Sequence, residues 1–419
     1  MTNSSSSFQL AVQGNAITVN HVGNNVHLYK PQNLQIYFQR TIRVPDNLGT
    51  SQLPPGLGDF PLYQVKDYAS RLPADMVARG GVFLPMYQKE ALWIRLRATV
   101  PFMIKIYAGG VNAVSGEHRA EGDAARKRRA DRLAAGESIQ DYVVACGQLW
   151  VDGFAVAPGV VRQFVAMPVG QGYSAEAQLA GEETVGGLQF EITPVKPEIA
   201  PPPPPPPSGA CSLSSKRSWR RAPTLDDRGW SSSAQVAPMG IAPGGRIRQC
   251  IVADTVDPAR WVRDATLTVP VQILNSAGFR AVTGRPPPPC PIGARVYADA
   301  GLPFFDLDES GYGAGAVGGL FAGMSSVNKI EQARGIAPDF EPDVAPARLV
   351  RLDGRGRRVH VDLAKISDPQ GLLSPAGPHR EFRALDDLER EVAGGSGAES
   401  DAEDQRSSTM SQASSPTFQ

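Results

Sequence analysis

The sequence predicts a mainly β or α+β protein, with an antiparallel β-rich core, short helices and an interrupting Pro/Ser-rich linker. Three observations predict this. Apolar and polar residues alternate with period two over many short stretches, which is the pattern of half-buried strands. The chain holds 43 glycines and 37 prolines in 419 residues, more than average usage, so it turns often. Strand-like runs follow one another with few helices between them, which argues against alternating βαβ units.

Residues 1–30 read as a polar lead followed by the first strands. Alternation begins at Phe8–Val19 and resumes over Asn25–Val44, at the start of a β-rich region spanning 31–195. In LQIYFQRTIRV, Leu34, Ile36 and Phe38 share one parity, while Gln35, Tyr37 and Gln39 share the other. Pro45-Asp46-Asn47 then supplies turn chemistry. The clearest pair follows in ALWIRLRATVPFMIKIYAGG. Leu92, Ile94 and Leu96 precede Val100-Pro101, and Phe102, Ile104 and Ile106 follow it. They read as two adjacent strands, with Arg95, Arg97 and Lys105 facing outward. Each large apolar side chain contributes roughly 1.5–3 kcal/mol when fully buried.

Residues 119–135 favour helix, being rich in alanine and long charged side chains. Strands are expected again over 141–145, 160–168, 173–179 and 188–193. Within this run lies RQFVAMPVGQGYSAEAQLAGEETVGG, which invites comparison with a phosphate-binding loop. Such a loop joins a strand to a helix N-terminus and carries Gly-Lys-Ser/Thr. Here no such lysine follows, and Gly181 and Gly186-Gly187 cut short any helix. The stretch therefore reads as strand, glycine turn, strand, glycine turn, strand. Glu182 and Glu183 would point to opposite faces of a strand and read as solvated turn residues. The residues most suited to face a ligand flank the first turn: Arg162, Gln163, Gly170, Gly172 and Tyr173. Glycine there lets backbone approach a ligand closely.

Residues 196–236 read as a disordered Pro/Ser/Arg-rich linker or insertion. The run Pro201–Pro207 reads first as a polyproline II spacer or neutral insertion, and as the alternative as a ligand for an aromatic-lined groove, with Pro201, Pro204 and Pro207 as its contacts. Lys216, Arg217, Arg220 and Arg221, around Trp219, form a nuclear-address or recognition cluster. A second β-rich region covers 237–392, either a domain of its own or part of the same compact unit. It contains a strand over 265–276 with Leu267, Val269, Val271 and Ile273 on one parity. Helical turns are expected at 277–283 and 293–300, packing residues Phe304, Phe305 and Leu307 lie in 301–309, and 311–319 reads as flexible. A helix over 325–334 would be capped by Ser325 or Ser326. Residues 349–363 read as a hairpin about Asp353-Gly354, and 393–419 as a disordered acidic tail. Arg285 to Pro291 fits R-x-x-P-x-x-P but reads best as a rigid loop between ordered elements.

Chemistry-bearing patterns are sparse. Lys+Arg and Asp+Glu balance at 42 each, so no global field draws the chain to nucleic acid. Arg126 to Arg129 is a local basic cluster. Cys146, Cys211, Cys250 and Cys290 form no CxxC, and no metal site or cofactor is expected. His21, His27, His118, His360 and His379 show no HExxH spacing, and no GxSxG elbow occurs. No apolar run approaches the ~20 residues of a membrane helix, and the first residues carry no secretory signal. The expectation is a soluble cytoplasmic protein, with the nucleus as the alternative address.

Several phrases carry a resemblance. They include LPPGLGDFPL at 53–62, RGGVFLPMYQKEALWIRL at 79–96, GGVNAVSGE at 109–117, the glycine-rich phrase above, MGIAPGGRIRQ at 239–249 and AGLPFFDL at 300–307. This set resembles a family of uncharacterised fungal and bacterial proteins, some labelled "integral membrane protein". The resemblance implies no activity, cofactor or catalytic residue. The leading expectation is a binding or structural interaction protein. The alternatives are a hydrolase with a site assembled from dispersed residues, and a polyproline-bearing adaptor.

Overall fold

A computed structural model describes residues 8–22, 31–47, 49–197, 238–289, 291, 303–308, 319–336 and 348–353. The linker from 198 to 236, residues 293–300 and 311–318, the stretch 354–363 and the acidic tail lie outside the described residues. In chain order the first strands are β1 (Phe8–Gln13), β2 (Ala16–His21), β3 (Asn33–Thr41), β4 (Thr50–Ser51), β5 (Tyr63–Gln64), β6 (Val82–Met86), β7 (Ala91–Ala98), β8 (Phe102–Ala108) and β9 (Val111–Asn112). Then come β10 (Val143–Val144), β11 (Trp150–Val151), β12 (Gly153–Ala157), β13 (Val160–Pro168), β14 (Leu188–Pro194), β15 (Met239–Arg248), β16 (Leu267–Asn275), β17 (Pro303–Asp308) and β18 (Arg348–Asp353). The α-helices are α1 (Ala74–Arg79), α2 (Asp123–Ala134), α3 (Ala175–Ala180), α4 (Ser276–Thr283) and α5 (Val327–Ala333).

Two mixed sheets pack face to face. The larger runs β1-β2-β3-β7-β13-β15-β4, with β11 added on β7 and β12 on β13. The smaller runs β10-β8-β14-β16-β6-β5, with β9 on β8. Most pairs are antiparallel; β15 with β4 and β16 with β6 are parallel. One apolar core fills the space between the sheets. Phe38 of the larger sheet meets Phe190 of the smaller at 5.7 Å between ring centroids, edge to face. β14, before the segment 198–237, belongs to the smaller sheet, and β15, after it, to the larger. β15 then pairs with β13, and β16 with β14, so each sheet joins strands from both sides of it.

Burial of the β7 and β8 runs is seen as expected for Leu92, Ile94, Leu96, Phe102, Ile104 and Ile106, with Met103 and Tyr107 on the other parity of β8 buried as well. Their adjacency is not. β7 pairs with β3 and β13, whereas β8 pairs with β14 in the other sheet. The connector Thr99 to Pro101 carries the chain across the core. Period-two burial is satisfied equally by a neighbour in one sheet or a partner facing it, so the pattern could not distinguish them. Thr99 continues along β3 instead, donating its N–H to Asn33 O at 3.0 Å.

The expected strand over 173–179 is helix α3. Ser174 caps it, its Oγ accepting from Ala177 N at 3.1 Å, and Gly181 ends it in the left-handed region at φ +79°. Alanines at alternate positions imitated a strand parity, but alanine, glutamate and glutamine favour helix once a cap is present. Helix α2 lies inside its expected span. Helix α5 is capped by Ser326, whose Oγ accepts from Lys329 N. Of the expected hairpin at 349–363 only the first strand, β18, lies within the described residues. β18 pairs in parallel with β17, more than 40 positions earlier in the chain.

Candidate functional site

The glycine turn after β13 does cradle an anion, and the anion is the chain's own Glu183. Gly170 and Gly172 adopt φ of +85° and +71°, which only glycine takes without strain. Their N–H groups donate to Glu183 Oε2 at 2.6 and 3.0 Å. Ser174 Oγ donates to Glu183 Oε1 at 2.5 Å. Backbone N–H groups converging in this way form an anion-binding nest. On the other side of α3 the arrangement is repeated by Glu176. This buried carboxylate accepts from Thr184 N at 2.9 Å and from Val185 N and Gly186 N at 2.8 Å. Gly109 makes room for it, since a Cβ there would stand 2.3 Å from Glu176 Oε2. Each end of the short helix is thus closed by a carboxylate holding a turn. The reading of Glu183 as a solvated turn residue is corrected accordingly. Its signal in the sequence was a serine followed nine residues later by a glutamate, a spacing with no general meaning.

Tyr173 is buried against Met167 and Val327. The Arg334 guanidinium lies over its ring at 4.5 Å and donates to Gln171 O at 2.7 Å, so the end of α5 seals the turn. Arg162 and Gln163 sit inside the fold. Arg162 Nη1 donates to Gly244 O at 2.9 Å and lies 3.5 Å from Asp46 Oδ1. Burial lowers its pKa from the ordinary guanidinium value, with Asp46 acting the other way. Gln163, fully buried, accepts from Val44 N and donates to Ile42 O, both at 2.9 Å. Its carboxamide replaces a strand for the segment after β3.

The basic cluster on α2 is neutralised locally. Arg128 meets Glu117 at 2.6 Å, Arg129 lies between Glu121 at 3.1 Å and Asp141 at 3.2 Å, and Arg126 pairs with Asp123. Exposed pairs of this kind add little stability, but they cancel the field a polyanion would feel. The proline run after α4 is docked on its own chain. Tyr87 Oη donates to Pro288 O at 2.9 Å, Arg40 Nη2 donates to Pro289 O at 2.6 Å, and the Arg285 guanidinium lies 5.7 Å from the Tyr63 ring. Pro201, Pro204, Pro207, Lys216, Arg217, Arg220 and Arg221 lie outside the described residues. Among the described residues, no group of three or more His, Cys, Asp or Glu could hold a metal ion.

One cleft combines space with both polar and apolar lining. Where the two sheets end side by side, Gln32 joins them, its Nε2 donating to Val195 O at 3.1 Å. Beside it lies a cavity of about 130 Å³ lined by Gln32, Thr99, Val100, Pro101, Val195, Lys196 and Arg260. Gln32 is only 3% exposed, yet its Oε1 has no hydrogen-bond partner. Most buried polar atoms have one, so this atom calls for an explanation. Lys196 is exposed at the rim, and its backbone N–H is fixed to Arg260 O at 2.7 Å. Val100 and Val195 pack down onto Trp261. None of these residues was singled out from the sequence. They come from four distant places in the chain, and no spacing rule connects them.

Comparison with protein families, with curated proteins and with solved structures returns no match for the chain. No helix among the described residues is long and apolar enough to cross a membrane.

Proposed function

We propose that this chain is a binding or interaction protein that holds its partner at the cleft between the sheet ends. The observation that carries this reading is a cavity with the exposed Lys196 at its rim and, in its lining, Gln32, whose buried Oε1 has no hydrogen-bond partner. The exposed Lys196 ammonium attracts an anionic group, which is recognition chemistry. A hydrolase would need a nucleophile and a base turned into one space. The one hydroxyl lining this cleft, Thr99 Oγ1, is engaged with Pro31 O at 2.5 Å and with Asn33 N at 2.9 Å.

The test is affinity capture by the full chain, with Lys196→Glu against Lys127→Glu, an exposed cation on α2 serving as the charge control. Partners lost with the first variant and kept with the second are the expected result. An identical partner set for both variants overturns the reading. So does hydrolysis of ester, amide or phosphomonoester substrates by the purified chain.

A further inference from the structure

We infer that the outer edge of β1 pairs with the same edge of a second copy of this chain, joining two nine-stranded sheets across a twofold axis beside Ala11. None of the residues lining the cleft belongs to β1, and this pairing stands independently of the reading given to the cleft.

The four ends of the two packed sheets are not alike. β4, β10 and β5 close three of them with two residues each. Strands so short offer too little backbone to template another chain. β1 closes the fourth with six residues, Phe8–Gln13, and its register with β2 runs unbroken from Phe8 against His21 to Gln13 against Ala16. It has no proline, no bulge and no charged side chain, the devices that keep an edge from pairing. Among the described residues no strand pairs with its outer side.

The hairpin fixes which backbone groups face outward. Gly14 and Asn15 turn the chain between Gln13 and Ala16, so Gln13, Ala11 and Gln9 exchange both backbone hydrogen bonds with β2. Leu10 and Val12 present their N–H and C=O to the outer side. Their side chains pack against the core and remain half-exposed.

An occupant of this edge is an extended strand with backbone groups on the same period, and a second copy supplies it. With Ala11 opposite Ala11, Leu10 of each copy exchanges N–H and C=O with Val12 of the other. Small side chains meet at the axis. Gln9 faces Gln13, each with a carboxamide that donates and accepts. Leu10 and Val12 cover one another. Residues 1–29 contain no Asp, Glu, Lys or Arg, so the two hairpins bring no like charges together. The contact uses the same patch on both copies and closes as a dimer.

Analytical ultracentrifugation of the full chain is expected to show monomer at about 1 μM and mainly dimer at about 300 μM, the weak range that a small interface gives. In the dimer, amide exchange slows at Leu10 and Val12 and is unchanged at Gln9 and Ala11, which already bond to β2. Ala11→Lys and Ala11→Glu are each expected to weaken association more than about tenfold by setting like charges against each other across the axis. An equimolar mixture of the two variants restores it. Ala134→Lys, at an exposed position on α2, changes nothing. Circular dichroism checks that each variant folds. If the Ala11 variants do not, the exposed Gln9 and Gln13 give the same comparison. Gln9→Lys with Gln13→Lys separates the copies, and Gln9→Lys with Gln13→Glu keeps them together.

A chain that stays monomeric at about 300 μM overturns the inference, whether the edge stays open or the chain's own residues cover it. So does a dimer that the charge variants leave intact, a mixture of Ala11→Lys and Ala11→Glu that does not associate, or dimerisation without slower exchange at Leu10 and Val12.

Discussion

Glu183 closes the turn that Gly170 opens: the carboxylate Oε2 accepts the Gly170 N–H at 2.6 Å, thirteen positions away in the chain. The same oxygen takes Gly172 N, and Oε1 takes the Ser174 hydroxyl. Hydrogen bonds to charged groups contribute roughly 1.5–3 kcal/mol each, and part of that is returned to solvent at a half-exposed site. Glu183→Ala is therefore expected to lower unfolding free energy by about 1–3 kcal/mol. It leaves a nest of donors that an added anion can enter. Sulfate should stabilise the variant more than the parent in thermal unfolding. Equal gains would show that the turn is not an anion nest.

Gln163 offers a cleaner case, because nothing around it is solvated. Gln163→Leu removes the partners of Val44 N–H and Ile42 C=O together. Each orphaned buried group costs about 1–3 kcal/mol, so a loss of about 2–6 kcal/mol is expected. A urea midpoint that falls with unchanged slope would report this as stability lost. A change under about 0.5 kcal/mol, the range of neutral surface substitutions, would contradict the assigned role.

The buried pair of Arg40 and Glu90, 2.7 Å apart, makes a pH prediction. Burial is the largest influence on Glu90 and raises its carboxyl pKa above the ordinary 4.5, outweighing Arg40 and the Tyr87 N–H. The folded state thus holds this proton more tightly than the unfolded chain. The contribution is complete below pH 4.5 and is lost as pH rises through the folded value. Glu90→Gln lacks this dependence. Relative to the variant, the parent should lose stability from pH 4.5 upward in denaturant unfolding. A difference independent of pH would be inconsistent with the raised value.

Tyr87 holds the proline run by one hydroxyl. Tyr87→Phe should cost about 0.5–1.5 kcal/mol, the net worth of one hydrogen bond. Amide exchange should quicken at Gly284 and Arg285, where α4 leads into that run. Unchanged exchange there would mean that Arg40 and Arg285 hold the segment without it.

Much of the architecture was legible because it is written locally. The parity of Leu34, Ile36 and Phe38 places them in the core, and all three are buried. Ser326 marks the start of α5, because a cap needs only a side-chain oxygen and the N–H three residues on. The strand expected over 160–168 is β13, buried along nearly its whole length. Where local signals competed, they misled: small residues at alternate positions read as strand in α3, although the Ser174 cap was present.

Strand positions, helix caps and turns follow from side-chain period and backbone conformation within a few residues, and the chain's own pattern specified them. Sheet membership followed from pairings between distant segments, which sent β7 and β8 to opposite sheets despite three residues between them. The same holds for the candidate site. The glycine turn is occupied because Glu183 folds back onto it, and the cleft exists because Gln32 reaches Val195 across 163 positions. Each rests on a polar group that must find a partner in three dimensions, and no period in one dimension records which partner it finds.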